Sequence, residues 1–216
     1  MHLKALRTLW LFPALLALAS CLPFGQQEVP ARIPLKNETV VVLPFKMPNS
    51  SYFESAVGRR FSRDIAQWIR IGCPKTTVAD AAMLPKGLVE EGIKAFKAED
   101  VMEDNTIVLL GKRLEVDIVV VGEIHELRSK DPKALGVMHG TMRVSWRVAD
   151  VRLGKVIWEA ERKEFSYPPD LMEVEPVPAI DEKDEEQVRR MTMQEAARSI
   201  AVVFGGRDRL FADQSR

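Results

Sequence analysis

The fold is decided by residues 140–160, GTMRVSWRVADVRLGKVIWEA. Up to Val148, apolar side chains alternate with polar ones, which is the period of a strand with one buried face. After a three-residue turn, 152–154, that ends in Gly154, the alternation resumes, and glycine accepts the positive φ that such a turn needs. The segment therefore predicts an antiparallel hairpin. Its apolar face consists of Met142, Val144, Trp146, Val148, Val156, Trp158 and Ala160.

The turn also sets the register of this hairpin. The predicted cross-strand pairs are Val151 with Lys155, Val148 with Trp158, and Arg147 with Glu159. The last pair brings opposite charges together on the polar face, and such cross-strand pairs favour the register that contains them.

Three further strands are predicted upstream of the hairpin. Residues 39–43, TVVVL, and residues 118–121, IVVV, are β-branched runs without alternation, which is typical of strands covered on both faces. Residues 76–79, TTVA, form a shorter and weaker candidate. Together with the hairpin, these runs predict a sheet of about five strands.

Four helices are predicted between and after the strands. Ser51 and Glu54 have the spacing of a capping box that opens a helix ending at Gly72. Residues 87–97 give a second helix, and residues 104–114, capped by Asp104 or Asn105, a third in which Gly111 allows a close approach to the sheet. Residues 188–204 form the last. The fold class is therefore α/β (α+β): a mixed sheet of about five strands with a C-terminal antiparallel hairpin, flanked by about four helices.

The amino terminus has the layout of an export signal. Lys4 and Arg7 precede an apolar stretch, residues 9–19, that is too short to span a bilayer. The following Leu18-Ala19-Ser20-Cys21 resembles the bacterial lipobox, and this resemblance implies that residues 1–20 are removed and that Cys21 carries lipid. The alternative is an unmodified cysteine after an ordinary cleavage site. By the lipoprotein sorting pattern, Leu22 implies the outer membrane, with the domain in the periplasm.

Residues 21–36 are predicted to be a short tether, since three prolines and a polar Gln-Gln-Glu run disfavour regular structure there. Residues 37–212 are predicted to form one domain. If Cys21 is lipidated, Cys73 has no intramolecular partner, and we expect a buried or tolerated thiol in preference to an intermolecular bridge.

The charge balance limits the partners. The chain has 31 basic and 31 acidic residues, which argues against nucleic acid. Within the domain, residues 168–187 hold four prolines, eight acids and one lysine, so this segment cannot fold alone and is predicted to be an acidic surface loop or a docking arm. The candidate interaction residues are Arg59, Arg60 and Arg63 on the first helix, with Asp181, Glu182, Asp184, Glu185 and Glu186 in the loop. These two patches could also pair head to tail in a homo-oligomer.

Candidate catalytic groups all have simpler structural explanations. His125-Glu126 lacks the second histidine of a zinc protease motif, and a site shared by His125 and His139 lacks further ligands, so solvated or hydrogen-bonded histidines are expected. Glu159 and Glu161 are expected to pair with Arg143 and Arg147. The three tryptophans on apolar stripes are expected to pack in the core. We therefore expect no catalytic residues, no metal and no cofactor.

The order of these elements, with Val-Val-Leu-Pro-Phe at 41–45, Leu-Gly-Lys-Arg-Leu at 110–114 and Gly-Lys-Val-Ile-Trp at 154–158, resembles a periplasmic superfamily. That superfamily contains the curli secretion lipoprotein CsgG, the LpoB activator of penicillin-binding proteins and the amino-terminal domain of TolB. The resemblance implies a non-catalytic module for envelope assembly or regulation that binds envelope proteins. A small-ligand or transport-accessory binding lipoprotein is the alternative, and an unrecognised hydrolase is a further one.

Overall fold

The computed structural model describes residue 33, residues 35–48, residue 50, and residues 55–81, 103–130, 139–167 and 185–205. The helices and strands within them are β1 (Thr39–Val42), α1 (Ala56–Gly72), β2 (Thr77–Asp80), α2 (Asp104–Arg113), β3 (Ile118–Lys130), β4 (His139–Asp150), β5 (Lys155–Tyr167) and α3 (Glu185–Gly205). The predicted signal segment and the predicted helix at 87–97 lie outside the described residues. None of the described helices combines the length and apolar character that crossing a membrane requires.

The five strands form one mixed sheet in the order β2-β1-β3-β4-β5. β1 pairs in parallel with β2 and β3, whereas β3-β4 and β4-β5 are antiparallel. The predicted fold class is confirmed, with three helices in the described part of the chain.

Helices cover both faces of the sheet, which explains the unalternating strands. Val40 and Val42 of β1 belong to the core under α1 and α3, whereas Val41 and Leu43 belong to the core under α2. All four side chains are at most 2% exposed. A run of β-branched residues is therefore buried throughout, because successive side chains enter opposite cores. Gly111 permits the approach of α2, since a Cβ there would lie 2.3 Å from Cγ2 of Val151.

The central register of the hairpin is confirmed, and its turn is corrected. Val148 lies opposite Trp158, and Arg147 lies opposite Glu159, as predicted. Lys155, however, pairs with Asp150 and not with Val151, because the turn occupies four residues, 151–154. A register shift between Val148 and Ala149 restores the predicted pairing further along. Such a bulge inserts one extra residue into a strand, and sequence alternation does not reveal it.

The helix starts differ from the prediction. α1 is capped by Ser55, whose Oγ accepts the backbone N–H of Gly58 at 3.0 Å; Ser51 and Glu54 lie outside the described residues. The residue before α2 is Glu103, and no side chain caps that helix. α3 begins at Glu185, so the last three residues of the predicted loop 168–187 are helical. Caps depend on the direction in which the preceding chain arrives, which the sequence pattern does not contain.

Two substitutions test which face of the hairpin is buried, one on its polar face and one on its apolar face. Arg147 pairs with Glu159 and Asp104 at the surface, so Arg147→Ala should lower the free energy of unfolding by about 1 kcal/mol or less. Trp158 packs against the core under α1 and α3, and Trp158→Ala should lower it by about 3 kcal/mol. Urea unfolding followed by circular dichroism measures both. Equal unfolding midpoints for the two variants would contradict the placement of Trp158.

Candidate functional site

Ser145 organises the middle of the polar face of β3, β4 and β5. Its Oγ lies 2.7 Å from Nε2 of His125 and accepts the backbone N–H of Arg162 at 2.9 Å. His125 falls at a register shift of β3, and Arg162, with φ of 45°, at a shift of β5. A bulge leaves backbone groups unpaired, so one hydroxyl on β4 stabilises irregularities in both neighbouring strands.

The structure distinguishes the two roles considered for the histidines, which were hydrogen bonding and a shared metal site. His125 is hydrogen-bonded, as expected, whereas His139 lies opposite Lys130 at the far end of β3 and does not meet His125. Among the described residues, no three His, Cys, Asp or Glu side chains gather where they could hold a metal ion. Ser145 was not singled out from the sequence, because a serine on the polar side of an alternating strand carries no distinguishing signal.

Ion pairs occupy the remainder of this polar face. Arg147 contacts Glu159, as predicted, and lies 3.2 Å from Asp104 of α2. Arg143 lies 2.9 Å from Glu164 and 3.5 Å from Glu126. The predicted pairing with Glu161 is corrected, because the bulge at Arg162 shifts the register and places Glu164 opposite Arg143.

The predicted basic and acidic patches adjoin. Arg59, Arg60 and Arg63 are exposed on α1, and Glu185 and Glu186 are exposed in the first turn of α3. Nη1 of Arg60 lies 3.8 Å from Oε1 of Glu186 in the same chain. Opposite charges that meet within one molecule are partly neutralised, so these patches form one mixed surface. The other predicted acids, Asp181, Glu182 and Asp184, lie outside the described residues, as does Cys21.

One end of the sheet receives the chain from the amino-terminal segment, and we name it the tether end. The backbone N–H of Ile33 donates to the carbonyl of Val203 near the C-terminus of α3, at 2.8 Å. Gly205 in turn packs against Gly72 and Cys73, at the C-terminus of α1. The first residues of β1, β2 and β3 and the turn 151–154 lie at the same end. They are joined by the hydrogen bonds Thr77 N to Glu38 O, Asp117 N to Thr39 O and Val151 N to Asp117 O.

The thiol of Cys73 lies at this end and is buried, as expected from the sequence.

The opposite end, which we name the loop end, carries both termini of the acidic segment. Tyr167 pairs with Gly140, and Gly140 pairs with Ser129. The Ser129 hydroxyl donates to the Glu185 carboxylate at 2.7 Å. Residues 168–184 thus leave the described domain and return to it at one end. The 12 residues of β4 separate this end from the tether end by about 35 Å.

Three acids and one arginine hold the tether end together. Arg152 lies 3.2 Å from Glu38 and 3.7 Å from both Asp117 and Asp150. Asp117 also accepts the backbone N–H of Thr39 at 2.8 Å. The sequence offers a signal for this cluster that was missed: an acid directly precedes β1, another precedes β3, and a third ends β4.

Glu38 has a pKa below its ordinary value of 4.5. Burial raises the pKa, but the backbone N–H groups of Lys36, of Glu38 itself and of Asn37, together with the Arg152 guanidinium, lower it by more. The ionised carboxylate is therefore favoured in the native state.

The replacement Glu38→Gln tests this cluster. A lowered native pKa stabilises the fold above the unfolded value, and this stabilisation is lost as the pH falls through the native pKa. We expect Glu38→Gln to lower the free energy of unfolding by about 1.5–3 kcal/mol at pH 7 and by much less at pH 3. Urea unfolding at both pH values measures this. The exposed Glu161→Gln serves as the control, and a difference from the unsubstituted chain that stays constant with pH would refute the assignment.

These features define a mixed α+β domain with helices on both faces of a five-stranded sheet, a tether end and a loop end. No family model matches the sequence, and no curated protein matches it. Similar solved structures include the hypothetical protein CT253 from Chlamydia trachomatis, at 14% identity and a TM-score of 0.44, covering 82% of this chain and 99% of that one.

Two other solved structures are similar, and one of them is named as a lipoprotein. Lipoprotein GNA1162 from Neisseria meningitidis has 16% identity and a TM-score of 0.41, covering 60% of this chain and 82% of its own. The LpoB C-terminal domain from Salmonella enterica has 10% identity and a TM-score of 0.34, covering 65% and 85%. At such identities and TM-scores, no residue role or function is transferred to this chain.

Proposed function

We propose that this protein is a lipid-anchored module of the bacterial cell envelope that acts by binding another envelope protein, without turnover of its own. The observation that carries the proposal is the placement of the two chain segments that leave the domain. The chain from Cys21 arrives at the tether end, and the acidic segment 168–184 leaves and returns at the loop end. An anchored domain would therefore present the acidic segment on the side away from its attachment.

The length of the tether supports a position close to the membrane. Eleven residues, 22–32, separate Cys21 from Ile33, and they span at most about 40 Å when fully extended. Acyl chains on Cys21 would supply the attachment, since each buried CH₂ contributes about 0.8 kcal/mol. Leu22 favours the outer membrane, which leaves the domain in the periplasm.

A binding role without catalysis is supported by the partners of the residues first considered for chemistry. His125 is bonded to Ser145, Glu159 is paired with Arg147, and Cys73 is buried. Each of these groups thus has a structural role. The mixed surface of Arg59, Arg63 and Glu186 beside the acidic segment is the proposed contact area for the partner.

The anchor is tested by Cys21→Ser in the mature chain, from which residues 1–20 have been removed. We expect the unsubstituted protein to remain in the membrane fraction and its intact mass to show a mature amino terminus at an acylated Cys21. Cys21→Ser should lose nearly all membrane association, whereas Cys73→Ser, a change of the buried thiol, should keep it. Equal membrane retention of the Cys21→Ser chain would rule out the lipid anchor.

The contact area is tested by charge reversal. A variant with Asp181, Glu182, Asp184 and Glu186 replaced by lysine should recover an envelope partner more weakly than the unsubstituted protein, with the larger difference at low salt. Thermal stability should change little, because the described acid among them, Glu186, is exposed. A partner retained equally at every salt concentration would contradict the proposed surface. A hydrolytic or transferase activity lost on His125→Ala or Cys73→Ser would overturn the non-catalytic assignment.

A further inference from the structure

Two large apolar side chains are exposed at the tether end. Among the described residues, the exposed large apolar side chains are Ile71 at 47%, Leu109 at 49% and Leu153 at 63%. Ile71 is in the last turn of α1, and Leu153 is at the tip of the turn between β4 and β5. Leu109 instead lies in the middle of α2. Neither Ile71 nor Leu153 serves the core, so their exposure at the same end requires an explanation of its own.

The exposed charges at the tether end are mainly positive. The exposed basic residues there are Lys36, Arg70, Lys75, Lys112, Arg113, Arg152 and Lys155. Glu115 is an exposed acid at this end, whereas Glu38, Asp117 and Asp150 are partly or fully buried around Arg152. The described residues of this end therefore carry seven basic against four acidic side chains, which is a net positive charge.

Helix dipoles account for only part of this charge. Arg70, Lys112 and Arg113 occupy last turns of helices, where cations are favoured. Lys36, Lys75 and Lys155 lie outside helices, before β1, in the turn before β2 and at the start of β5. Their exposure on the same end as Ile71 and Leu153 gives the arrangement of a surface that binds anionic lipid: apolar side chains surrounded by basic ones.

We infer that the tether end lies on an anionic phospholipid surface, with Ile71 and Leu153 at the headgroup level and the surrounding lysines and arginines against lipid phosphates. The inference rests on the proposed anchor at Cys21, and the tether makes it feasible. Because Ile33 enters at this same end, eleven residues reach it from the membrane without crossing the domain.

The orientation is measured with the full lipidated chain reconstituted into vesicles of phosphatidylethanolamine and phosphatidylglycerol at 3:1. A fluorophore on Leu153→Cys reports contact with a headgroup-quencher lipid, and a fluorophore on Glu161→Cys is the control, at an exposed position of β5 about 20 Å along the strand from Lys155. The chain without an added cysteine measures any labelling of Cys73. We expect strong quenching at position 153 and weak quenching at 161.

The role of positive charge in docking is tested by charge reversal at two lysines of one strand. Lys155 and Lys163 are both exposed on β5; Lys155 is its first residue, and Lys163 lies eight residues further along the strand. Each basic residue near an anionic surface contributes about a fivefold factor in the ratio of docked to undocked domain. Lys155→Glu should therefore lower that ratio by at least fivefold, while Lys163→Glu leaves it unchanged. Neutral phosphatidylcholine vesicles or 0.5 M salt should lower it similarly.

Failure of the proposed anchor and failure of the inferred orientation give different results. Flotation of the chain with vesicles reports the anchor alone, so a chain that does not float overturns the proposed function. A chain that floats but is quenched equally at positions 153 and 161 overturns the inferred orientation. Quenching at 153 that is insensitive to Lys155→Glu, lipid charge and salt also overturns it, because docking would then not involve anionic lipid.

Discussion

Phe45→Ala is expected to lower the free energy of unfolding by about 3–5 kcal/mol. Phe45 is fully buried just after β1, and its ring meets that of Phe61 edge to face, with 5.0 Å between centroids. Gly122 of β3 makes room for it, since a Cβ at that glycine would lie 2.2 Å from Cε1 of Phe45. Removing the ring therefore opens a cavity between α1 and the sheet and also removes an aromatic pair.

Urea unfolding followed by circular dichroism checks this value. Phe45→Leu is the matched control, because it keeps most of the apolar volume, and it should lower the free energy of unfolding by clearly less. Phe165→Ala, at the 9% exposed ring on β5, gives a second comparison. If Phe45→Ala unfolded at the same urea concentration as Phe45→Leu, the ring could not be the contact between α1 and the sheet.

Gly58→Ala is expected to destabilise the protein although alanine is the better helix former. In an exposed helix interior, this replacement stabilises by about 1 kcal/mol. At position 58, however, the new Cβ would lie 1.9 Å from the carbonyl oxygen of Phe45 and 3.0 Å from its carbonyl carbon. A backbone carbonyl cannot rotate away as a side chain does, so α1 must shift from the sheet. We expect a loss of about 1–3 kcal/mol or more.

The control for Gly58→Ala is Gln67→Ala, at an exposed position of the same helix, which should change stability by no more than about 0.5 kcal/mol. The two variants distinguish helix propensity from close packing. A Gly58→Ala chain more stable than the unsubstituted protein would show that α1 does not lie against Phe45 as described.

For the basic and acidic residues chosen from the sequence, the pattern predicts exposure but not contacts between distant segments. Arg59, Arg60 and Arg63 were predicted to be exposed because they fall off the apolar stripe of α1, and they are exposed. Their relation to the acidic segment was not predictable, since Arg60 and Glu186 meet only because α1 and α3 pack side by side. The acids of the tether-end cluster are visible in the sequence at strand ends, but their meeting with Arg152 is not, since Glu38 and Arg152 are 114 residues apart in the chain.

The sequence by itself determined the features that repeat with a local period. Alternation over Met142–Val148 predicted the buried face of β4, unbroken β-branched runs predicted strands covered on both sides, and the pairs Val148–Trp158 and Arg147–Glu159 followed from one turn. These predictions succeed because burial of one face depends on side chains two or about four residues apart.

Only the tertiary structure decided the strand order, the bulges and the two ends of the domain. Ser145 stabilises irregular backbone on both neighbouring strands, Ser55 caps α1, and Gly122 receives a ring from β1. Each depends on contact between segments distant in sequence, where a shift of one residue changes the partner but leaves the local pattern intact. The gathering of basic residues at the tether end has the same origin, because it arises from how strands and helices are oriented together and not from any one stretch of the chain.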